Sequence, residues 1–205
     1  MPTRTLIRWS APLLALGALG FAAFIIVANG EFTGAELGLS RRHHFAHVAH
    51  FFSSVLFLFG ITGFYGYLRE ASGGLGLLAW VVAMAGDALW VGTGVITAWV
   101  WRTISASAPQ LVSAEGAFFD PPLPIIFIAT VGFSLGQLLL NVVAWRTHQL
   151  PRHAVMLSVL GLVLTNLTPP PWGLVPYWVL QVGALLFLAG AVEHARAIWR
   201  GAPNV

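Results

Sequence analysis

The chain has 205 residues, of which 58% are hydrophobic and 8% charged, with a formal net charge of +3. A soluble domain is about 25% charged, so this composition argues against a soluble enzyme, a disordered chain and a nucleic-acid binder. Cysteine and lysine are both absent, which excludes disulfides, iron–sulfur clusters, thiol chemistry and any lysine Schiff base.

The apolar residues fall in long blocks, and a membrane-spanning helix needs about 20 of them in succession. Six spans are predicted, at 12–28, 46–67, 75–99, 123–145, 153–168 and 174–196. Backbone polar groups in hydrocarbon must bond within their own segment, so the spans are helices. The predicted fold class is all-α: one domain over 1–205, a polytopic bundle of six transmembrane helices in a lipid bilayer. The first span follows Arg4 and Arg8. Its length of about 17 residues exceeds the usual 7–15-residue core of a signal peptide, so it reads as an uncleaved helix.

The second and third spans are joined by a short turn after Arg69, and the fourth and fifth by another after Arg146. These two hairpins hint at a weak internal repeat. The connections before the second and fourth spans are longer and carry Glu31, Glu36, Glu115 and Asp120. Thr168, Pro169, Pro170 and Pro171 break the chain before the last span.

Arginines set the orientation. Arg4, Arg8, Arg69, Arg146, Arg152, Arg196 and Arg200 fall on one side, and Arg41, Arg42 and Arg102 on the other. The positive-inside rule then predicts both termini in the cytoplasm, N-in and C-in, against the pull of the Arg41–Arg42 pair. Arginine without lysine suggests a GC-rich bacterial genome, and hence the cell inner membrane. Most tryptophans, Trp99 and Trp101 among them, fall at predicted span ends as an interfacial belt; Trp90 lies deep.

Asp87 stands near the middle of the third span. A charged Asp there costs about 2.5–3.5 kcal/mol, and such residues face a bundle interior. No basic residue is predicted at its depth, so the acid must be neutral or strongly hydrogen-bonded. Gln137, Asn141 and Gln181 are its candidate partners, and Trp80, Met84, Trp90, Val91 and Gly94 share its helical face. One reading makes Asp87 a proton-carrying or ligand-binding group. The other makes it interhelical glue, worth about 0.6 kcal/mol on average.

His43, His47 and His50 follow i, i+4, i+7 spacing, continued by Ser54. Neighbouring turns can place two imidazoles on one metal, with a third ligand from an acidic connection. The adjacent arginines oppose a cation and suit an anion, a lipid phosphate or a quinone carbonyl better. An interfacial helix start is the plainest reading. A bis-histidine haem is disfavoured, because His148, His153 and His194 fall at the opposite end, where they read as dispersed loop histidines or as a polar cluster with Glu193. Gly60, Gly63, Gly66, Gly132 and Gly136 read as close-packing positions.

The function expected is binding or translocation of a small apolar or lipid-like molecule in a protonation-sensitive intramembrane pocket. Asp87, Gln137, Asn141, Gln181 and Trp90 would form the pocket, and His47 and His50 its outer entrance. The alternatives are a metal- or quinone-binding redox protein using His43, His47 and His50, and an accessory subunit of a larger membrane complex or a homo-oligomer. No sequence motif specifies a cofactor.

Overall fold

The computed structural model describes residues 3–28, 35–112, 122–166 and 176–201. Among the described residues there are helices and no strands. The elements are α1 (Thr3–Ala28), α2 (Ala35–Leu39), α3 (Arg41–Val95), a π-helical turn (Ile96–Val100), α4 (Trp101–Ser107), a 3-10 turn (Pro109–Val112), α5 (Pro122–Thr147), α6 (Arg152–Asn166) and α7 (Tyr177–Gly201). Four helical stretches are long and apolar enough to cross a membrane: Thr5–Ala28, Arg41–Ser107, Ile128–Thr147 and Tyr177–Gly201. The fifth apolar helix, α6, has only 15 residues.

The long helix α3 is two rods. At Gly73 the backbone turns to φ 56° and ψ −147°, a region that only glycine enters readily. The chain reverses there, so a first arm (41–72) and a second arm (74–95) run back to back. Phe51 backs onto Gly94, Thr62 Oγ1 lies 3.6 Å from Met84 Sδ, and Tyr65 stacks on Trp80 with ring centroids 5.4 Å apart. The loop expected between the second and third spans is therefore a single residue.

Several helix ends lie outside the predicted spans. α1 begins at Thr3 rather than residue 12, and α7 runs on to Gly201. Polar and charged residues limit the apolar blocks, yet a helix keeps its hydrogen bonds as it leaves an apolar layer. Residues 167–168 and 174–175 of the last two predicted spans lie outside the described residues. α5 stops at His148, which adopts the left-handed conformation at φ 55°, a geometry that histidine tolerates better than most residues.

α1 packs along the first arm of α3, the second arm packs on α5, and α6 packs chiefly on α7, which returns to α1. The two expected hairpins thus pack differently, since α5 and α6 share only a minor interface. Phe21, Phe57, Phe133 and Phe187 meet at the centre, with successive ring centroids 5.6–5.8 Å apart. At one end, Arg8 lies over the Trp199 ring and Trp9 meets the same ring edge-on. The reversal at Gly73 and the C-terminus of α5 share that end, where Ser72, Arg146 and Thr147 line one shallow groove. We call it the arginine end, and the opposite one the histidine end.

Candidate functional site

The polar residues of α3 are the unusual ones. His43, His47 and His50 are each 3% exposed, and Ser54 and Asp87 are fully buried. Their spacing puts the three histidines on the face that packs inward. The His43 and His47 rings are 4.2 Å apart between centroids, and those of His47 and His50 are 5.9 Å apart. Aromatic walls enclose them. Phe24 stacks on His50 at 4.7 Å, Trp90 lies 4.4 Å from the same ring, and Trp101 meets His43 at 4.7 Å.

The π-helical turn brings Trp101 to this place. A π turn carries one more residue than an α turn and rotates everything after it. Here it presents the Ala98 carbonyl to His44 Nδ1, which donates to it at 2.9 Å. Trp101 was expected in an interfacial belt; it is 2% exposed. Above it, the Gly38 backbone of α2 fits against Trp101 and Ser105, so α2 and α4 cover the histidines. His47 and His50 therefore lie inside the bundle, enclosed rather than at an open entrance.

The ring nitrogens of His43 and His47 are buried and make no hydrogen bond. His50 has the Trp90 backbone carbonyl as a neighbouring acceptor, outside strict hydrogen-bond geometry. Among the described residues, no three His, Asp or Glu side chains are disposed to hold one metal ion. Glu36 is exposed, and Glu31, Glu115 and Asp120 lie outside the described residues.

Asp87 occupies the next level down. The pairings of Phe51 with Gly94 and of Thr62 with Met84 bracket it level with Phe57 and the phenylalanine layer. Its neighbour Gly86 touches the Gly132 backbone of α5, and Trp90, one turn along, stacks on Phe133 at 5.6 Å. Neither Asp87 carboxyl oxygen has a hydrogen-bond partner. Among the described residues the ion pairs are those of Glu193 with Arg196 and His153, so no arginine neutralises Asp87.

The three expected partners are not bonded to it. Gly136 backs onto Ala83, which sets Gln137 roughly 7 Å from Asp87 along the bundle toward the arginine end. Asn141 is one turn further and donates Nδ2 to the Gln137 carbonyl at 2.9 Å. Gln137 Nε2 and Asn141 Oδ1 are buried without partners. Gln181 is half-buried and lies six residues from Phe187, about 9 Å toward the histidine end.

At the arginine end, His194 is 3% exposed and stacks on Phe64 at 5.3 Å. It is a core residue, unlike exposed His153, whose Nε2 stands 4.0 Å from Glu193. The sequence reading missed Phe24, Trp101 and the π turn as parts of the site. No local pattern marks Phe24. Trp101 could have been noticed only by its phase: it stands two residues from Trp99, hence on another face of a helix. No protein-family model matches the chain, and neither does any curated protein or solved structure.

Proposed function

We propose that the chain is a six-span protein of a bacterial inner membrane, with both termini in the cytoplasm, that binds or translocates a small apolar or lipid-like molecule at a protonation-sensitive site around Asp87. The hairpin form of α3 supports two spans within Arg41–Ser107, and α6 supplies the shortest span. Arg8, Arg69, Arg146, Arg152, Arg196 and Arg200 gather at one end of the bundle, which suits a cytoplasmic face. The Arg41–Arg42 pair at the other end has a structural use: Arg42 Nε donates to the Val27 carbonyl at 2.7 Å and so satisfies the C-terminus of α1.

The observation that carries the reading is a fully buried Asp87 with both oxygens unpartnered. Glue requires a hydrogen bond across the interface, and Asp87 makes none. A buried polar group left open is costly by about 1–3 kcal/mol, which suits a group that meets something else during function. The test is the melting temperature of the purified protein with short-chain phosphatidylglycerol, between pH 5 and 9. A pH-dependent rise that Asp87→Asn removes is expected; the same rise in the variant, or none at any pH, overturns the reading.

A second reading rests on the aromatic enclosure of His43, His47 and His50. A quinone ring offers carbonyl acceptors to imidazole N–H groups and a flat face to Phe24 and Trp90. Solvent extraction of the purified protein with ultraviolet absorption would show the quinone, and its retention by a His47→Ala variant would sink this version.

A further inference from the structure

The outer surface of the α6–α7 pair sets charge beside an apolar trough. The two helices lie close, because Gly161 backs onto the Phe187 backbone and Gly190 onto the Ser158 backbone. Along the outside of that contact runs an open groove of about 570 Å³. Ala189, the smallest side chain in its lining, leaves room between Leu157, Leu185 and Val192. His153, Glu193 and Arg196 line its arginine end, and the rest of its lining is apolar. On α7 the lining runs from Leu185 to Arg196, about 16 Å of helix. One leaflet holds half of a hydrocarbon layer about 30 Å thick. Leu185 is two residues from Phe187 of the central phenylalanine layer, so the groove ends near the midplane. It therefore has the length of one acyl layer, with charge where a headgroup lies.

The charges at the rim form a zwitterion. Arg196 Nη1 donates to Glu193 Oε1, which uses one of the five N–H donors of that guanidinium. Glu193 Oε2 faces His153 Nε2 at 4.0 Å, beyond hydrogen-bond reach. The pair thus keeps an open acceptor on one side and open donors on the other, and both residues reach the surface. Of the neighbouring cations, Arg152 lies over the Trp145 ring, and Arg200 is outside the lining. The rim is therefore not a plain cationic patch. It holds one carboxylate beside one guanidinium.

We propose that this groove seats one phosphatidylethanolamine molecule from the leaflet at the arginine end. The headgroup lies antiparallel to the Glu193–Arg196 pair. Its ammonium donates to Glu193 Oε2, and its phosphate accepts from the remaining Arg196 donors, both as charge-assisted hydrogen bonds. One acyl chain follows the trough past Ala189 to Leu185. A headgroup that carries only negative charge would set part of it against the Glu193 carboxylate, and like charges in contact are unfavourable. Glu193 is thus the residue that selects ethanolamine over an anionic headgroup. The inference rests on the spanning topology proposed above and is independent of Asp87, which is buried in the interior.

The test is native mass spectrometry of the full chain, stripped of lipid in detergent and then given equimolar phosphatidylethanolamine and phosphatidylglycerol with the same acyl chains. The wild type should retain one phosphatidylethanolamine at least fivefold more often than one phosphatidylglycerol. Glu193→Gln should bring the two lipids to parity or favour phosphatidylglycerol. Ala189→Phe, on the outer surface, fills the trough and leaves the charges in place; it should cut phosphatidylethanolamine adducts at least fivefold while circular dichroism stays helical. Equal retention of the two lipids by the wild type, or of neither, overturns the inference. So does an unchanged preference in Glu193→Gln or undiminished adducts in Ala189→Phe. Asp87→Asn should retain phosphatidylethanolamine as the wild type does. If the preference is found but phosphatidylglycerol leaves the melting temperature unmoved, the groove stands and the Asp87 reading falls. An Asp87-dependent melting shift without the preference does the reverse.

Discussion

Two interfaces in this bundle use the same packing device and treat the polar groups beside it in opposite ways. Where α1 meets the first arm of α3, a Cβ on Gly60 would stand 2.8 Å from the Leu14 backbone. The serines beside that contact are satisfied: Ser53 donates to the Gly17 carbonyl and Ser10 to the Ile7 carbonyl, each at 2.6 Å. Where the second arm meets α5, Gly86 touches Gly132 just as closely, yet Asp87, Trp90, Gln137 and Asn141 all keep buried atoms without partners. Close packing alone therefore does not force polar groups to go unpaired. Beside the Gly86–Gly132 contact the open groups sit on both helices, and a second set, His43, His47 and His50, lies toward the histidine end.

Substitutions can separate the two kinds of interface. Gly86→Ala should have the largest effect, because the new methyl group meets Gly132 and Phe133 backbone; overpacking of this kind costs about 1–3 kcal/mol. Gly92→Ala, with nothing within 4 Å of its Cβ, is the control and should be at least as stable as wild type. Both are read by detergent titration in mixed micelles. The same titration sharpens the contrast in polar groups. Ser53→Ala should lose about 0.6–1 kcal/mol with its hydrogen bond. Asp87→Leu should be at least as stable as wild type, since replacing an unpaired buried group by an apolar one removes its desolvation cost and no bond. A clear loss with Asp87→Leu would make Asp87 a structural residue and erase the difference between the interfaces.

The rods were legible because a long apolar block in one chain admits little but a helix. Asp87 stood out as a lone acid in such a block, and the histidines stood out by their helical spacing. The depth of one helix against another was not legible. Gln181 was grouped with Asp87 by residue type, but the packing of α7 sets it nearer the histidine end. Trp101 looked like a belt residue until the π turn rotated it inward over His43. His194 looks like a loop histidine because its neighbours Glu193 and Arg196 are polar; the helix simply continues past the core, with Glu193 and Arg196 paired on one face and His194 buried on another.

The reversal at Gly73 bears on how the chain is made. With one residue between them, the two arms are held side by side from the turn onward. In the six-span arrangement proposed above, so short a turn favours their entering lipid together as a hairpin. Asp87 would then meet lipid with the apolar flank of its sister rod already beside it.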